Sequence, residues 1–591
     1  MQLKTFNSWG RCLACVLTIG LSRPAVDAAP TALSMESPTK IDKLADGTLL
    51  VDFGQVTFGN ILIAAPENHP EKIVVHFGEA QKDGRIDRQP PGTVRYSRVE
   101  VELEAGKKNL IQPAADPRNT KQPDAILTPV DWGVVIPFRW AEIEGWRGEF
   151  KPEFIARQSA YSSTWNEEAA SFESSDEMLN RVWKLCKHSV KATTFAGLYV
   201  DGDRERIPYE ADAYLNQLSH YATDDDIQMA RDTFDHLMQN PTWPSEWAPH
   251  MVFMAHADWM RTGDIGWISQ RYESLKSKLL SDRVGGDGLV RSDEKQQSWN
   301  DIVDWPQGER DHYVFTEVNT VVNAFHISAI LKMADLARAV GRRSEADEYA
   351  SQATSKTKTF NRKLFIEAKS AYKDGIGTSH TSLHASLFPL AFDLVPEAHE
   401  DAVADFLIGK GMRCSVYAAQ YLLEGLFQAD RGKQAINLML ADGDRSWRHM
   451  VESGTTVTWE AWDQVYKPNQ DWNHAWGAAP ANLLSRFVIG AQAMEPGWEK
   501  VKIRPHCGDL RDVKGKVPTP LGPVEIHWKR TPSSFGLALK LPEGMKAVVS
   551  LPDDAGDREV YLDGRVIGSR REGRYRLIEE ELAGESHLIV R

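Results

Sequence analysis

Hydrophobic and polar positions follow three different rhythms along this chain. From about residue 35 to 165 they alternate in short runs: Thr48-Leu-Leu-Val-Asp-Phe-Gly, Lys72-Ile-Val-Val-His-Phe-Gly and Tyr96-Ser-Arg-Val-Glu-Val-Glu-Leu. Gly, Pro and Asp separate the runs. A period of two places successive side chains on opposite faces, so residues 35–165 are expected to form an antiparallel β-sandwich. Residues 105–125, rich in Lys, Pro, Asp and Asn, read as a long surface loop within it. From about 170 to 492 the period lengthens to 3.6. Helices are expected at 175–196, 226–239, 247–261, 266–281, 318–339, 344–365, 396–409, 415–428 and 477–490. About a dozen such segments on short connections suggest a toroid of α/α hairpins; an irregular α-solenoid is the alternative, and no self-similarity at a fixed period supports it. From about 495 strands return in Trp498-Glu-Lys-Val-Lys-Ile-Arg, Gly522-Pro-Val-Glu-Ile-His-Trp, Leu537-Ala-Leu-Lys-Leu and Ala547-Val-Val-Ser-Leu. The segment 495–591 suits one compact β-sandwich of about eight strands.

A length of 591 residues exceeds one ordinary core, in keeping with three such units. The net charge of −14 argues against nucleic acid or an anionic membrane as partner, since both require a basic surface. Residues 1–28 read as a cleaved signal peptide. Lys4 and Arg11 precede a short apolar core, Cys12 to Leu21, and Val26-Asp-Ala28 offers small residues for cleavage. The expected destination is the periplasm or the extracellular medium. The apolar core is about half the roughly 20 residues needed to span a bilayer, and no later segment is long and apolar enough to insert. Beyond it remain Cys186, Cys414 and Cys507, too scattered for a disulfide framework or a metal site; buried free thiols are expected.

The candidate chemistry begins with Asp201 to Asp212, which reads Asp-Gly-Asp-Arg-Glu-Arg-Ile-Pro-Tyr-Glu-Ala-Asp. Helical apolar spacing precedes it (Met178, Val182, Leu185, Val190) and follows it (Ala213, Leu215, Leu218), so several carboxylates gather at one end of a helical pair. Crowding can hold one carboxyl protonated while its neighbours stay ionised, as acid catalysis at an acetal requires. Tryptophans cluster in two windows, Trp243 to Trp305 and Trp447 to Trp476. Indole faces suit the C–H faces of sugars, although any single one can equally fill a helical core. The second window contains Gly454-Thr-Thr-Val-Thr-Trp-Glu-Ala-Trp462, in which Trp459 and Trp462 flank Glu460, and then Asp471-Trp-Asn-His-Ala-Trp476. Glu460 is either a buried, hydrogen-bonded acid or a catalytic group in an aromatic pocket. His474 is a candidate partner for a sugar or for Glu460. No HExxH, phosphate loop or nucleophile elbow is present.

Taken in order, these segments resemble the bacterial α-L-rhamnosidases of glycoside hydrolase family 78 over nearly the whole length. Asp52-Phe-Gly-Gln55 and Ile136-Pro-Phe-Arg-Trp-Ala-Glu-Ile-Glu-Gly145 look like that family's first β-domain. Phe172 to Trp183 looks like the start of its helical domain, and Pro505 with Val517 to Trp528 like its C-terminal β-domain. The resemblance implies a central (α/α)6 barrel flanked by antiparallel β-sandwiches. It implies Glu205 as general acid and Glu460, in the family's Thr-Thr-x-Trp-Glu-x-Trp pattern, as general base. Asp201, Arg204, Tyr209, Asp212, His474, Trp247 and Trp305, together with Trp459 and Trp462, would contact the sugar. The implied reaction is inverting, exo-acting release of terminal α-L-rhamnose from an oligosaccharide, polysaccharide or glycoside, with no metal or organic cofactor. Inverting enzymes keep their carboxyls roughly 6.5–9.5 Å apart, to admit a water. One departure stands out: Pro208-Tyr-Glu-Ala211 replaces the family's Gly-Trp-x-Gly, and Glu210 is expected to add charge near the site. Another six-hairpin glycosidase, a phosphorylase, or a catalytically silent carbohydrate-binding protein are the alternatives.

Overall fold

A computed structural model describes residues 30–67, 72–553 and 558–591. The expected signal segment, 1–28, lies outside the described residues. The alternating runs form strands, hydrogen-bonded into one eight-stranded sheet beside a small hairpin at residues 81–86. Its spine is the sixteen-residue strand Leu49–Ala64. This strand changes partners along its length: Lys40–Lys43 and Ile136–Glu144 flank its first part, whereas Ile155–Ser162 and Lys108–Ile111 flank its second. The register with Ile136–Glu144 shifts between Asp52 and Thr57, where the strand takes an irregular step. Val51, Phe53, Ile61, Phe77, Phe138 and Ile143 fill the core beneath it. The stretch expected to be an uninterrupted surface loop, 105–125, instead holds the strand Lys108–Ile111 and the helical turn Pro117–Thr120.

The 3.6-residue regime folds as helices with ordinary start signals. Asp176, Asn319, Ser382 and Ser415 each accept a hydrogen bond from a first-turn backbone N–H. Six helices contact one another in a closed circuit: Glu210–Thr223, His250–Thr262, Thr320–Ala339, Leu383–Ala391, Val416–Gln428 and Ala479–Leu483, the last packing back on the first. Aromatic rings from four of them, Phe253, Phe325, Phe388 and Tyr421, make mutual contacts inside this circuit. Their apolar area removed from water is what holds the helices together, since the helices are individually short.

The C-terminal part contributes eleven strands, rather than about eight, to two sheets of seven and five. Two features depart from the expected arrangement. Ser171–Ser174, at the head of the helical segment, pairs with Asp512–Val517 and so completes the larger C-terminal sheet. Lys500–Ile503 runs parallel to Lys546–Val549, so the unit is not wholly antiparallel. Trp528 anchors the sheets to the helices: its ring is fully buried and its Nε1–H donates to the Val488 carbonyl at 2.9 Å. Cys186, Cys414 and Cys507 are buried free thiols.

Candidate active site

The connections leading into four of the circuit helices, at residues 197–209, 240–249, 284–319 and 453–478, converge on a cavity of about 260 Å³. Asp201, Arg204, Glu205, Tyr209, Asp212, Trp247, Trp305, Glu460 and His474 all line it. The sequence spreads these residues over some 270 positions; the helical circuit returns them to one place.

The acidic loop is rigid because hydrogen bonds close it on itself and on its neighbours. Asp201 Oδ1 accepts from the Ile207 N–H at 3.0 Å, and the Asp201 N–H donates to the Ile207 carbonyl at 3.0 Å. Gly202 sits at φ +107°, where a Cβ would lie 3.0 Å from Asp471 Oδ2 and 3.1 Å from the Asn473 oxygens, so glycine is required there. The Asp203 and Arg204 N–H groups donate to Asn473 Oδ1 (2.8 Å) and Asp471 Oδ2 (3.1 Å). From loops of the N-terminal β-domain, Arg95 forms a close ion pair with Asp203, Asn119 donates to the Asp203 carbonyl, and Thr93 donates to Asp471. The β-domain thus braces the loop that carries the site, without itself lining the cavity.

Arg204 is the hub. Its guanidinium lies 3.3 Å from each Glu460 oxygen, 3.5 Å from Glu205 Oε1 and 3.9 Å from Asp201 Oδ2. Glu460 is buried and also meets Lys467 Nζ at 3.0 Å. Burial pushes its carboxyl up, but Arg204, His474 and Lys467 outweigh that and hold it below the usual glutamate range. Asp201 is displaced the other way: burial, then the charge of Glu205, raises it well above the ordinary aspartate value. Asp471 is likewise raised, to about 6, by burial and by Glu460. Carboxylate crowding therefore falls on Asp201 and Asp471, while Glu205 keeps 31% of its side chain exposed toward the cavity. Tyr209 Oη donates to Glu205 Oε2 at 3.2 Å, and its ring meets Trp247 edge to face at 5.6 Å. Asp212 accepts from His474 Nε2 at 2.6 Å, in a buried pair whose Nδ1 end has no protein partner.

Two further carboxylates hold the tryptophan-bearing loop. Glu246 accepts from the Ile302 and Val303 N–H groups, both at 2.9 Å. Asp304, next to Trp305, accepts from Ser415 N–H (2.8 Å) and pairs with His384 Nε2 (2.7 Å).

Two expected sugar contacts are not in the cavity. Trp462 is fully buried against Trp447, with its Nε1–H on the Cys414 carbonyl, and Trp459 stacks on Trp472 with 3% exposure. Both rings pack into the core away from the cavity, which Glu460 lines. Glu210 is corrected too: its carboxylate accepts from the Thr242 N–H and hydroxyl, is 1% exposed and does not line the cavity. Conversely Trp476, Trp243, Trp299 and Ile302 do line it. Trp476 lies two residues after His474 and donates its Nε1–H to the Glu460 carbonyl at 3.0 Å; the tryptophan windows carried that signal without singling it out.

Glu460, Asp471 and His474 bring possible ligand atoms within 4.8 Å of one another. Arg204 and Lys467 already occupy the Glu460 oxygens, and Thr93 and the Arg204 amide those of Asp471. The cluster's negative charge is met by side-chain cations and N–H donors, an arrangement that competes with a divalent ion for the same lone pairs.

Residues 167–488 match the family model of the bacterial α-L-rhamnosidase 6-hairpin glycosidase domain, and residues 490–564 that of the bacterial α-L-rhamnosidase C-terminal domain. An α-L-rhamnosidase of Alteromonas sp. (strain LOR) is 22% identical over 581 residues, covering 92% of this chain and 60% of the relative. One of Streptomyces avermitilis is 24% identical over 337 residues, 54% of this chain and 31% of the relative. Among solved structures, the α-L-rhamnosidase of Dictyoglumus thermophilum superposes with a TM-score of 0.78 at 20% identity, over 94% of this chain and 63% of that one. The Streptomyces avermitilis α-L-rhamnosidase complexed with L-rhamnose gives 0.76 at 17%, over 95% and 54%. At such identities the superpositions speak for the fold, and the chain spans about 60% of the length of the Alteromonas relative. With the helical-domain model alone matching more than half of its residues, the chain belongs to the bacterial α-L-rhamnosidase family.

Proposed function

We propose that this protein is an inverting, exo-acting glycosidase that releases terminal α-L-rhamnose from a glycan or glycoside, on an (α/α)6 barrel whose inner ring is the closed helical circuit. The observation that carries the reading is the pairing of Glu205 and Glu460 about one guanidinium in a tryptophan-walled cavity. Glu205, the more exposed, protonates the departing glycosidic oxygen. Glu460, kept ionised by Arg204 and Lys467, takes a proton from the attacking water on the opposite sugar face. Asp201 hydrogen-bonds a ring hydroxyl, while the Asp212–His474 pair orients another. Trp247, Trp305 and Trp476 exclude solvent and pack on the ring. The cavity is smaller than the roughly 300–1,000 Å³ pockets of drug-sized ligands, which suits one terminal sugar. This chemistry calls for no metal or organic cofactor.

Glu205→Gln and Glu460→Gln should each lower kcat on an aryl α-L-rhamnoside by about 10²–10⁴-fold while circular dichroism stays unchanged. Near-normal turnover in either variant removes that residue from the mechanism. Proton NMR at early times should show the β-anomer of rhamnose first; the α-anomer first would mean retention. Phosphorolysis would need cations free for phosphate, and here Glu460 occupies them, so turnover should not depend on added phosphate.

A further inference from the structure

Among the described residues only two tryptophans are exposed, Trp243 at 39% and Trp299 at 63%, and both line the mouth of the candidate site. They form a unit, with ring centroids 5.2 Å apart and planes tilted by 30°. Their backbones are tied together as well. Asn300 Nδ2 donates to the Trp243 carbonyl and the Ser245 N–H donates to the Asn300 carbonyl, both at 2.8 Å. Two adjacent indoles left in water at a cavity mouth forgo burial that the other tryptophans of the helical segment obtain. Because the rings already touch, nothing fits between them; they present one continuous aromatic face toward whatever lies outside the cavity.

We propose that Trp243 and Trp299 form a stacking platform for the leaving group, the moiety bonded to the scissile oxygen. The platform selects an uncharged group with a flat apolar face. The only possible cations lining the cavity are already engaged, Arg204 by Glu460 and Glu205 and His474 by Asp212, so a leaving group bearing a carboxylate finds no free partner there. Two sources share the favoured chemistry: an aromatic aglycone, and the C–H face of a neutral hexopyranose.

This inference rests on the glycosidase reading, and the experiment separates the two. Wild type, Trp299→Ala, Trp299→Phe and Trp243→Ala are assayed on naphthyl α-L-rhamnoside, on a rhamnosyl-glucose disaccharide and on methyl α-L-rhamnoside, which has no ring to stack. In the alanine variants the ratio of kcat/KM for a ring-bearing substrate to that for the methyl glycoside should fall roughly five- to tenfold, mainly through KM, and Trp299→Phe should recover most of it. A fall confined to the naphthyl substrate identifies an aromatic aglycone; one confined to the disaccharide identifies a sugar. An unchanged ratio for both overturns the platform even if every enzyme is active. If wild type hydrolyses no rhamnoside, the glycosidase reading fails instead. The platform is then judged by quenching of indole fluorescence with naphthyl glycosides, which Trp299→Ala should weaken and which, if unaltered, rejects it.

Discussion

Glu460 shares its two oxygens between Arg204 and Lys467, and the second cation can be removed without touching the acidic loop. With Lys467→Met, burial acts against less compensating charge, so the carboxyl rises from its lowered value. The group needed as an anion then protonates at higher pH, and the acidic limb of kcat/KM should move upward by roughly one pH unit. A limb that stays in place would show that Arg204 alone sets the base. At this scale much was legible from the chain. Glu205 and Glu460 were marked by their motifs, and the structure places both at the cavity. Trp459 and Trp462 were not separable from Trp305 or Trp476 by residue type. All four are indoles, and which ring enters the core is set by tertiary packing rather than by any local pattern.

The acidic loop behaves as an element shared by two domains. Arg95 is 10% exposed and binds an Asp203 that is 1% exposed, 108 residues away, while Arg206 braces the same carboxylate at 2.7 Å. Arg95→Met leaves Asp203 half-compensated in a dry site, which should cost about 3 kcal/mol. The expected outcome is a lower melting temperature together with lower kcat, because the loop carrying Glu205 loses its brace. Unchanged activity in a folded Arg95→Met protein would show that the loop is held by Asn473 and Asp471 alone. No local pattern announces this joint. Thr93, Arg95 and Asn119 look like ordinary β-domain polar residues, and their partners lie 84 to 378 positions away. The helices were readable because the 3.6-residue period and their capping residues are local. The order and pairing of the N-terminal strands were not, because strand pairing is set by long-range register.

Across the whole molecule, the domain junction also carries a titration. Glu79, just past the strand Lys72–Gly78, accepts from the Arg95 N–H at 2.6 Å and from Asn473 Nδ2 at 2.9 Å, and burial pushes its carboxyl up to about 8. The folded protein therefore holds this proton more tightly than the unfolded chain. The contribution is fully present below pH 4.5 and is lost as pH rises toward 8, at most about 1.4 kcal/mol per pH unit. Melting temperatures of wild type should fall relative to Glu79→Gln across that interval; parallel curves would mean that Glu79 titrates normally. The strand Ser171–Ser174 adds a dimension of time. Its partner in the larger C-terminal sheet begins at Asp512, so the two are separated by the whole helical segment. At ~5–20 residues per second of synthesis, roughly 20–70 s pass between the making of one and the making of the other. Throughout that interval the strand that leads into the helix Glu177–Ala192 lacks its partner. The last sheet to be made is thus the one that seals a seam opened near the start.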